Sequence, residues 1–228
     1  MSTALLDKRE ARIRRMFGHI APTYDLLNHL LSLNIDRWWR WRTTQLAPPP
    51  TDAPLLDVCT GTGDLAIGAR TRGAEVTGLD FSPEMLARAR RKRSDIEWVQ
   101  GDALALPFED ASFDAATVGF GVRNVDDLDL GLRELRRVLK RGGRVGILEI
   151  TTPRGVLAPF YRLWFDRVVP LLGKVLPGGA AYTYLPASVK RFPDAERLAE
   201  LLRATGFGDV RFRLLGGTIV ALHTGVAG

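Results

Sequence analysis

The chain has 228 residues, 46% of them apolar, and a net charge of +6. That length buries roughly 70–75% of the unfolded surface, enough for one large domain without staples. The single cysteine, Cys59, excludes an internal disulfide, and one Cys with three scattered His excludes a metal site of recognisable spacing. No run of 18 uncharged apolar residues is present, and the opening residues, rich in Arg, Lys, Asp and Glu, lack the apolar core of a signal peptide, so a cytoplasmic chain with no spanning helix is expected.

In chain order, residues 24–33 and 36–46 are predicted helices, with Pro22 before the first and Asp36 as a cap of the second. The run Ala47-Pro48-Pro49-Pro50-Thr51-Asp52 cannot be helical and separates this segment from the rest. Short apolar runs then alternate with amphipathic stretches. Strands are predicted at 55–58, 75–79, 96–99, 115–118 and 144–150, and helices at 64–71, 83–93 and 128–139, the last stopped by Gly142-Gly143. Such alternation implies a parallel sheet covered on both faces. Residues 156–176 are strongly apolar, 194–205 form a helix ended by Gly206, and 207–215 with 218–223 read as a hairpin across Gly216-Gly217. That hairpin is expected to place an antiparallel strand at the sheet's edge.

Asp57-Val58-Cys59-Thr60-Gly61-Thr62-Gly63-Asp64 follows the first strand and opens the first helix of the sheet region. Glycines there let the backbone turn sharply and approach a ligand. Asp80 ends the second strand, where a carboxylate can accept from ribose hydroxyls, and Asp102 follows the third, within reach of an adenine amino group. Three such loops on consecutive strands define a nucleoside site at the sheet's carboxyl edge. A pyrophosphate at a helix N-terminus favours positive surroundings; Asp57 and Asp64 would repel it and suit a cationic sulfonium, which points to S-adenosylmethionine over a nicotinamide dinucleotide. The loop resembles motif I of class I methyltransferases, whose fold carries a closing hairpin.

Other motifs narrow the resemblance. Tyr24-Asp25-Leu26-Leu27-Asn28-His29, Arg123-Asn124-Val125-Asp126-Asp127-Leu128, Leu139-Lys140-Arg141-Gly142-Gly143-Arg144 and Gly216-Gly217-Thr218-Ile219-Val220-Ala221-Leu222-His223 together resemble the UbiE/MenG/COQ5 family, the C-methyltransferases of menaquinone and ubiquinone biosynthesis. The resemblance implies a Rossmann-like class I α/β fold with a mostly parallel seven-stranded sheet, a C-terminal antiparallel hairpin and an N-terminal helical cap. Residues 1–47 would form the cap or lid and 48–228 the methyltransferase domain, with an apolar helical insertion at about 156–185. It implies cofactor contacts at Thr62, Asp80, Asp102 and Ala103, and Asp57, Thr60, Gly61, Gly63, Phe81 and Gly119 complete the expected cofactor set. This chain has Asp36 where the family usually has histidine, and Gly119 where a serine often stands, which removes one contact to the cofactor.

The implied reaction is methylation of a ring carbon of a polyprenylated quinol, demethylmenaquinol in the first instance and the 2-methoxy-6-polyprenyl benzoquinol as the alternative. Arg123 is expected to stabilise the developing phenolate, being too basic to take a proton itself, with Asn124 orienting it or the ring. His29 and Asp25 are candidate bases if the N-terminal helices fold over the pocket; helix packing is the competing account. Tyr24, Phe120, Tyr161 and Trp164 are expected to line the acceptor site. Arg37-Trp38-Trp39-Arg40-Trp41-Arg42 has three readings: a membrane interface, stacking on single-stranded bases, or a helix whose Ile35, Trp38 and Trp41 pack inward. Residues 159–176 have two: a channel or bilayer contact for an isoprenoid tail, or a buried cap helix. Peripheral contact with anionic membrane at the inner face is expected, and nucleic acid is not; the residues set no oligomeric state. Other functions compatible with the motifs are methylation of another small molecule or RNA, nicotinamide-dependent oxidoreduction, and a non-catalytic assembly subunit.

Overall fold

A computed structural model of the chain describes residues 16, 18, 20, 21, 24, 25, 32, 34–47, 51–156, 158–172 and 179–228. Their helices and strands are α1 (Ile35–Leu46), β1 (Pro54–Val58), α2 (Asp64–Arg70), β2 (Glu75–Asp80), α3 (Pro83–Lys92), β3 (Glu97–Gln100), β4 (Phe113–Gly119), α4 (Leu128–Val138), β5 (Leu139–Ile150), α5 (Ala158–Leu163), α6 (Val169–Leu172), α7 (Gly179–Arg191), α8 (Ala195–Ala204), β6 (Phe207–Leu215) and β7 (Val220–Ala227). A 3-10 turn, Val122–Asn124, follows β4, and a π-helical segment, Trp164–Val168, joins α5 to α6. The predicted helix at 24–33 lies largely outside the described residues.

The seven strands form one sheet in the order β3-β2-β1-β4-β5-β7-β6. Pairings from β3 to β5 are parallel, and β7 is antiparallel to both neighbours. The antiparallel strand is thus one in from the edge. The edge is β6, because the hairpin folds back so that β7 reaches β5 first. Alternation along β1 serves both faces: Leu56 and Val58 pack with Leu132, Leu135 and Val138 of α4 and Leu198 and Leu202 of α8, while Leu55 packs with Ala66, Ala69, Leu86 and Ala89 of α2 and α3.

Local chemistry accounts for the helix starts. Ser82, Asp127 and Asp194 each accept from the backbone N–H three residues on, and Pro83 occupies the first turn of α3. Gly142-Gly143 does not stop α4 as expected. The helix ends at Val138, β5 begins at Leu139, and the diglycine falls in a register shift where β4 pairing jumps from Leu139 to Arg144. Gly142 has φ +81°, and a Cβ on Gly143 would lie 2.8 Å from the Lys140 carbonyl, so the bulge needs both glycines.

Helix α1 is turned the other way from the inward packing expected of its Ile35–Trp38–Trp41 face. Ile35, Trp38 and Trp41 do share a face, but it points outward, at 42%, 45% and 51% exposure. The inward stripe is Asp36, Trp39 and Thr43. Trp39 packs with Leu148, Leu215, Ile219 and Leu222, at the carboxyl ends of β5 and β6 and the start of β7. His223 sits mid-strand opposite Ile147, its Nε2 2.8 Å from the Ala195 carbonyl. It lines neither cavity described below.

Candidate active site

The carboxyl ends of β1 to β4 converge on the glycine loop. Cys59 (φ +54°), Gly61 (φ +58°) and Gly63 (φ +85°) take left-handed backbone there, and a Cβ on Gly63 would meet the Trp98 ring at 2.5 Å. The tight loop is therefore locked by the packing of a β3 side chain as well as by its own glycines. Asp80, buried at the end of β2, accepts from Gly61 N–H at 2.8 Å and Ser82 N–H at 2.9 Å. Burial pushes its pKa up to about 6, against the lowering effect of those backbone donors. Beside it opens a cavity lined among others by Cys59, Asp80, Phe81, Asp102, Ala103 and Asn124.

Four of the expected cofactor residues, Asp80, Phe81, Asp102 and Ala103, line this cavity, and Gly61 and Gly63 shape its loop. The others are turned elsewhere. Asp57 is buried beneath the loop, its oxygens accepting from Thr60 Oγ1 and Thr117 Oγ1, both at 2.6 Å. Burial raises its pKa to about 6 despite those hydroxyls. It braces β1 against β4. The Thr62 hydroxyl donates to Asp25 at 2.6 Å and accepts from Lys92 at 2.9 Å. At Gly119 a Cβ would press on Leu65 at 3.2 Å, so the missing side chain makes room for α2.

Contrary to expectation, the carboxylates of the loop are balanced or enclosed. Asp64 is paired with Lys92 Nζ at 2.7 Å and lies 3.9 Å from Arg40, while Asp57 is enclosed. Neither presents an unbalanced negative charge to a ligand. What the described residues present to a ligand there is Asp80 and the walls around it. A nucleoside fits this site: a buried acceptor, Asp80, bonded to the loop, and a second carboxylate, Asp102, in the same lining.

A larger cavity adjoins the end of β4 and β5. Tyr24, Phe120, Tyr161 and Trp164, all expected to contact the acceptor, line it together with Arg123. Its walls are mainly apolar, including Ile35, Trp39, Phe160, Phe165 and Ile219. Phe120 has φ +60° and is held by its N–H on the Leu148 carbonyl at 2.7 Å. Arg123 donates from Nη1 to the Phe120 carbonyl at 2.6 Å and to Glu149 Oε1 at 2.5 Å, and the Arg123 side chain is only 9% exposed. Glu149, 1% exposed, is the partner that the sequence reading missed; 26 residues separate the two, and an acidic residue inside a buried strand was the available signal.

The candidate catalytic residues do not assemble as a group. Asn124 lines the smaller cavity and accepts from the Tyr184 hydroxyl at 2.9 Å. Asp25 lines neither cavity and contacts Lys92 at 2.7 Å as well as Thr62. Burial alone would raise its pKa, but hydrogen bonds from Lys92 and Thr62 outweigh burial and hold it below the usual range. His29 lies outside the described residues. Ser32, Asp36 and Arg40, none of them expected, stand in the wall of the larger cavity.

The sequence profile of the ubiE/COQ5 methyltransferase family matches residues 5–227. The chain is 48% identical to the demethylmenaquinone methyltransferase of Thermus thermophilus over 92% of its length and 99% of that protein. It is 47% identical to the demethylmenaquinone methyltransferase of Deinococcus radiodurans, covering 96% and 93%. Identity to the ubiquinone/menaquinone biosynthesis C-methyltransferase UbiE of Rubrivivax gelatinosus is 42%, covering 96% and 88%. In fold, the chain is similar to a solved S-adenosylmethionine-dependent methyltransferase of Thermotoga maritima, with TM-score 0.69, 20% identity, and coverage of 94% and 99%.

Proposed function

This chain belongs to the ubiE/COQ5 methyltransferase family, and from that premise we propose that it carries the methyl group of S-adenosylmethionine to a ring carbon of demethylmenaquinol, giving menaquinol. The carrying observation is an apolar cavity lined by Arg123, set beside a smaller cavity at the glycine loop. Relatives of nearly full length at 47–48% identity that are named for demethylmenaquinone favour the naphthoquinol over the benzoquinol ring.

The cofactor supplies an activated methyl on a positively charged sulfur. The chain supplies the rest. Asp80, Phe81, Asp102 and Ala103 hold the nucleoside, with Asn124 in the same wall. Phe120, Tyr161 and Trp164 orient the ring by apolar contact and exclude water, so the reacting atoms meet aligned and desolvated. Arg123, fixed by Glu149 and the Phe120 carbonyl, steadies negative charge on a ring oxygen as the hydroxyl loses its proton.

Access for a lipid follows from the two elements that enclose the larger cavity. Residues of α1 and of 158–172 line it; of these Ile35 and Phe160 are also exposed, and Trp38, Trp41, Leu163 and Leu171 are exposed outside it. Exposed apolar clusters of this size mark contact surfaces. Arg37, Arg162 and Arg167 flank them, and Arg42 lies 6.0 Å over the Trp38 ring. This pattern fits an anionic bilayer surface, with the prenyl tail leading from membrane to cavity and the rest of the chain in the cytoplasm. Among the described residues no helix is long and apolar enough to cross a membrane.

Two measurements follow. Incubation with labelled cofactor and a membrane quinol extract should place label in a lipid whose mass rises by one methylene; labelling of no quinol would refute the function. The protein should sediment with vesicles containing phosphatidylglycerol at low salt and release at high salt, and Trp38→Ser/Trp41→Ser should weaken that binding at least about tenfold. Equal binding by the variant would remove α1 from the membrane surface.

A further inference from the structure

A ring hydroxyl must lose a proton for the neighbouring carbon to become strongly nucleophilic, and a guanidinium cannot take it. Among the described residues lining the acceptor cavity, Asp36 is the one carboxylate. It stands in the first turn of α1 at 3% exposure, on the inward stripe with Trp39. Ser32 Oγ donates to its Oδ1 at 2.6 Å, and Arg40 pairs with its Oδ2. Arg40 is itself held: its guanidinium lies 5.4 Å over the Phe120 ring and 3.9 Å from Asp64.

The cavity therefore carries two ion pairs that differ in what they present to it. At one, the cation Arg123 lines the space and its carboxylate, Glu149, does not. At the other, carboxylate and cation, Asp36 and Arg40, both line it. The remaining titratable groups of the described lining are Tyr24 and Tyr161. A diol ring has two oxygens to be met, one needing stabilised negative charge and one needing a proton acceptor.

We propose that Asp36 accepts the proton of the quinol hydroxyl and that Arg40 is its positioning residue, an assignment that rests on the methylation proposed above. The O–H bond breaks, its electron pair stays on the ring oxygen, and the proton joins an Asp36 carboxylate oxygen. The ring carbon then bonds the methyl as the methyl–sulfur bond breaks and its pair stays on sulfur. Loss of the ring C–H proton to water restores aromaticity, and Asp36 returns its proton to the ring oxygen. One proton is released per methyl transferred.

The test is the pH profile of kcat with a short-chain demethylmenaquinol. Wild type should lose activity in acid as Asp36 becomes protonated. Asp36→Asn should lower kcat about 100-fold or more, leave cofactor affinity by calorimetry unchanged, and move the acid limb to higher pH, where the hydroxyl ionises unaided. In Asp36→Ala, added formate should restore turnover in proportion to its ionised concentration. Arg40→Gln should move the acid limb upward, since removal of a neighbouring cation raises a carboxylate's pKa. Retention of kcat within about threefold in Asp36→Asn, or of the wild-type acid limb, would overturn the assignment. If Asp36→Asn does not fold by circular dichroism, Asp36→Glu decides: an acid limb displaced from that of wild type supports the role, and an unchanged limb ends it. Wild-type protein that binds cofactor and methylates no quinol would instead defeat the underlying function.

Discussion

Arg123→Ala is expected to slow methyl transfer by about 100-fold or more, the loss typical of removing one donor to a developing oxyanion. Cofactor affinity should stay nearly constant, because Arg123 lines the acceptor cavity and not the nucleoside one. A factor of 100 is about 2.7 kcal/mol of transition-state stabilisation. The structure adds a complication that the sequence did not announce. Removing the guanidinium leaves Glu149, 1% exposed, without its cation, and breaking a buried pair from one side costs about 3–5 kcal/mol of stability. The double variant Arg123→Ala/Glu149→Gln separates the two effects: neutralising the stranded carboxylate should recover much of the melting temperature and none of the turnover. Recovery of turnover along with stability would mean that Arg123 acts only as scaffold. Single-turnover kinetics and thermal melting of the three proteins decide between these outcomes.

Asp80→Asn should weaken S-adenosylmethionine binding by about 100-fold, since hydrogen bonds to a charged acceptor contribute about 1.5–3 kcal/mol each. The amide keeps the shape but offers one acceptor oxygen where the carboxylate offers two, and both are already engaged in holding Gly61 and Ser82. A pH dependence goes with it. Because burial raises the Asp80 pKa to about 6, wild-type affinity should fall as pH drops below 6, where the protonated acid is a poorer acceptor for ribose hydroxyls. The sign on folding is opposite. A raised carboxylate pKa contributes stability that is fully present below 3.8 and lost as pH rises through about 6. Weaker binding in acid therefore does not reflect unfolding driven by this group. Calorimetric titration at pH 5 and pH 7.5 checks the expectation; affinity unchanged between them, or unchanged in Asp80→Asn, would place the ribose elsewhere.

Much of the fold was legible before any coordinates because its signals are local. Alternating short apolar runs and amphipathic stretches specify strands and helices through neighbours two to four residues apart, and Ser82-Pro83, Asp127 and Asp194 start helices through bonds three residues long. The nucleoside cavity was legible for the same reason: a loop after β1, Asp80 after β2 and Asp102 after β3 fall at one sheet edge whenever the strands are parallel. The acceptor cavity was reached through motif resemblance at Tyr24, Phe120 and Arg123, and through aromatic density at Tyr161 and Trp164, not through periodicity.

By itself, the order of residues determined the strand–helix alternation, the tight turn at Gly61 to Gly63, and the placing of Asp80 and Asp102 at the ligand edge. Tertiary structure alone decided which charges survive as charges. It turned Asp57 inward, set Lys92 between Asp25 and Asp64, joined Arg123 to Glu149, slid β7 between β5 and β6, and buried Trp39 while leaving Trp38 and Trp41 outside. The reason is distance along the chain. Periodicity tells a residue which face it occupies, but a carboxylate's partner and a helix face's neighbour are chosen by elements that meet only once the whole sheet has formed.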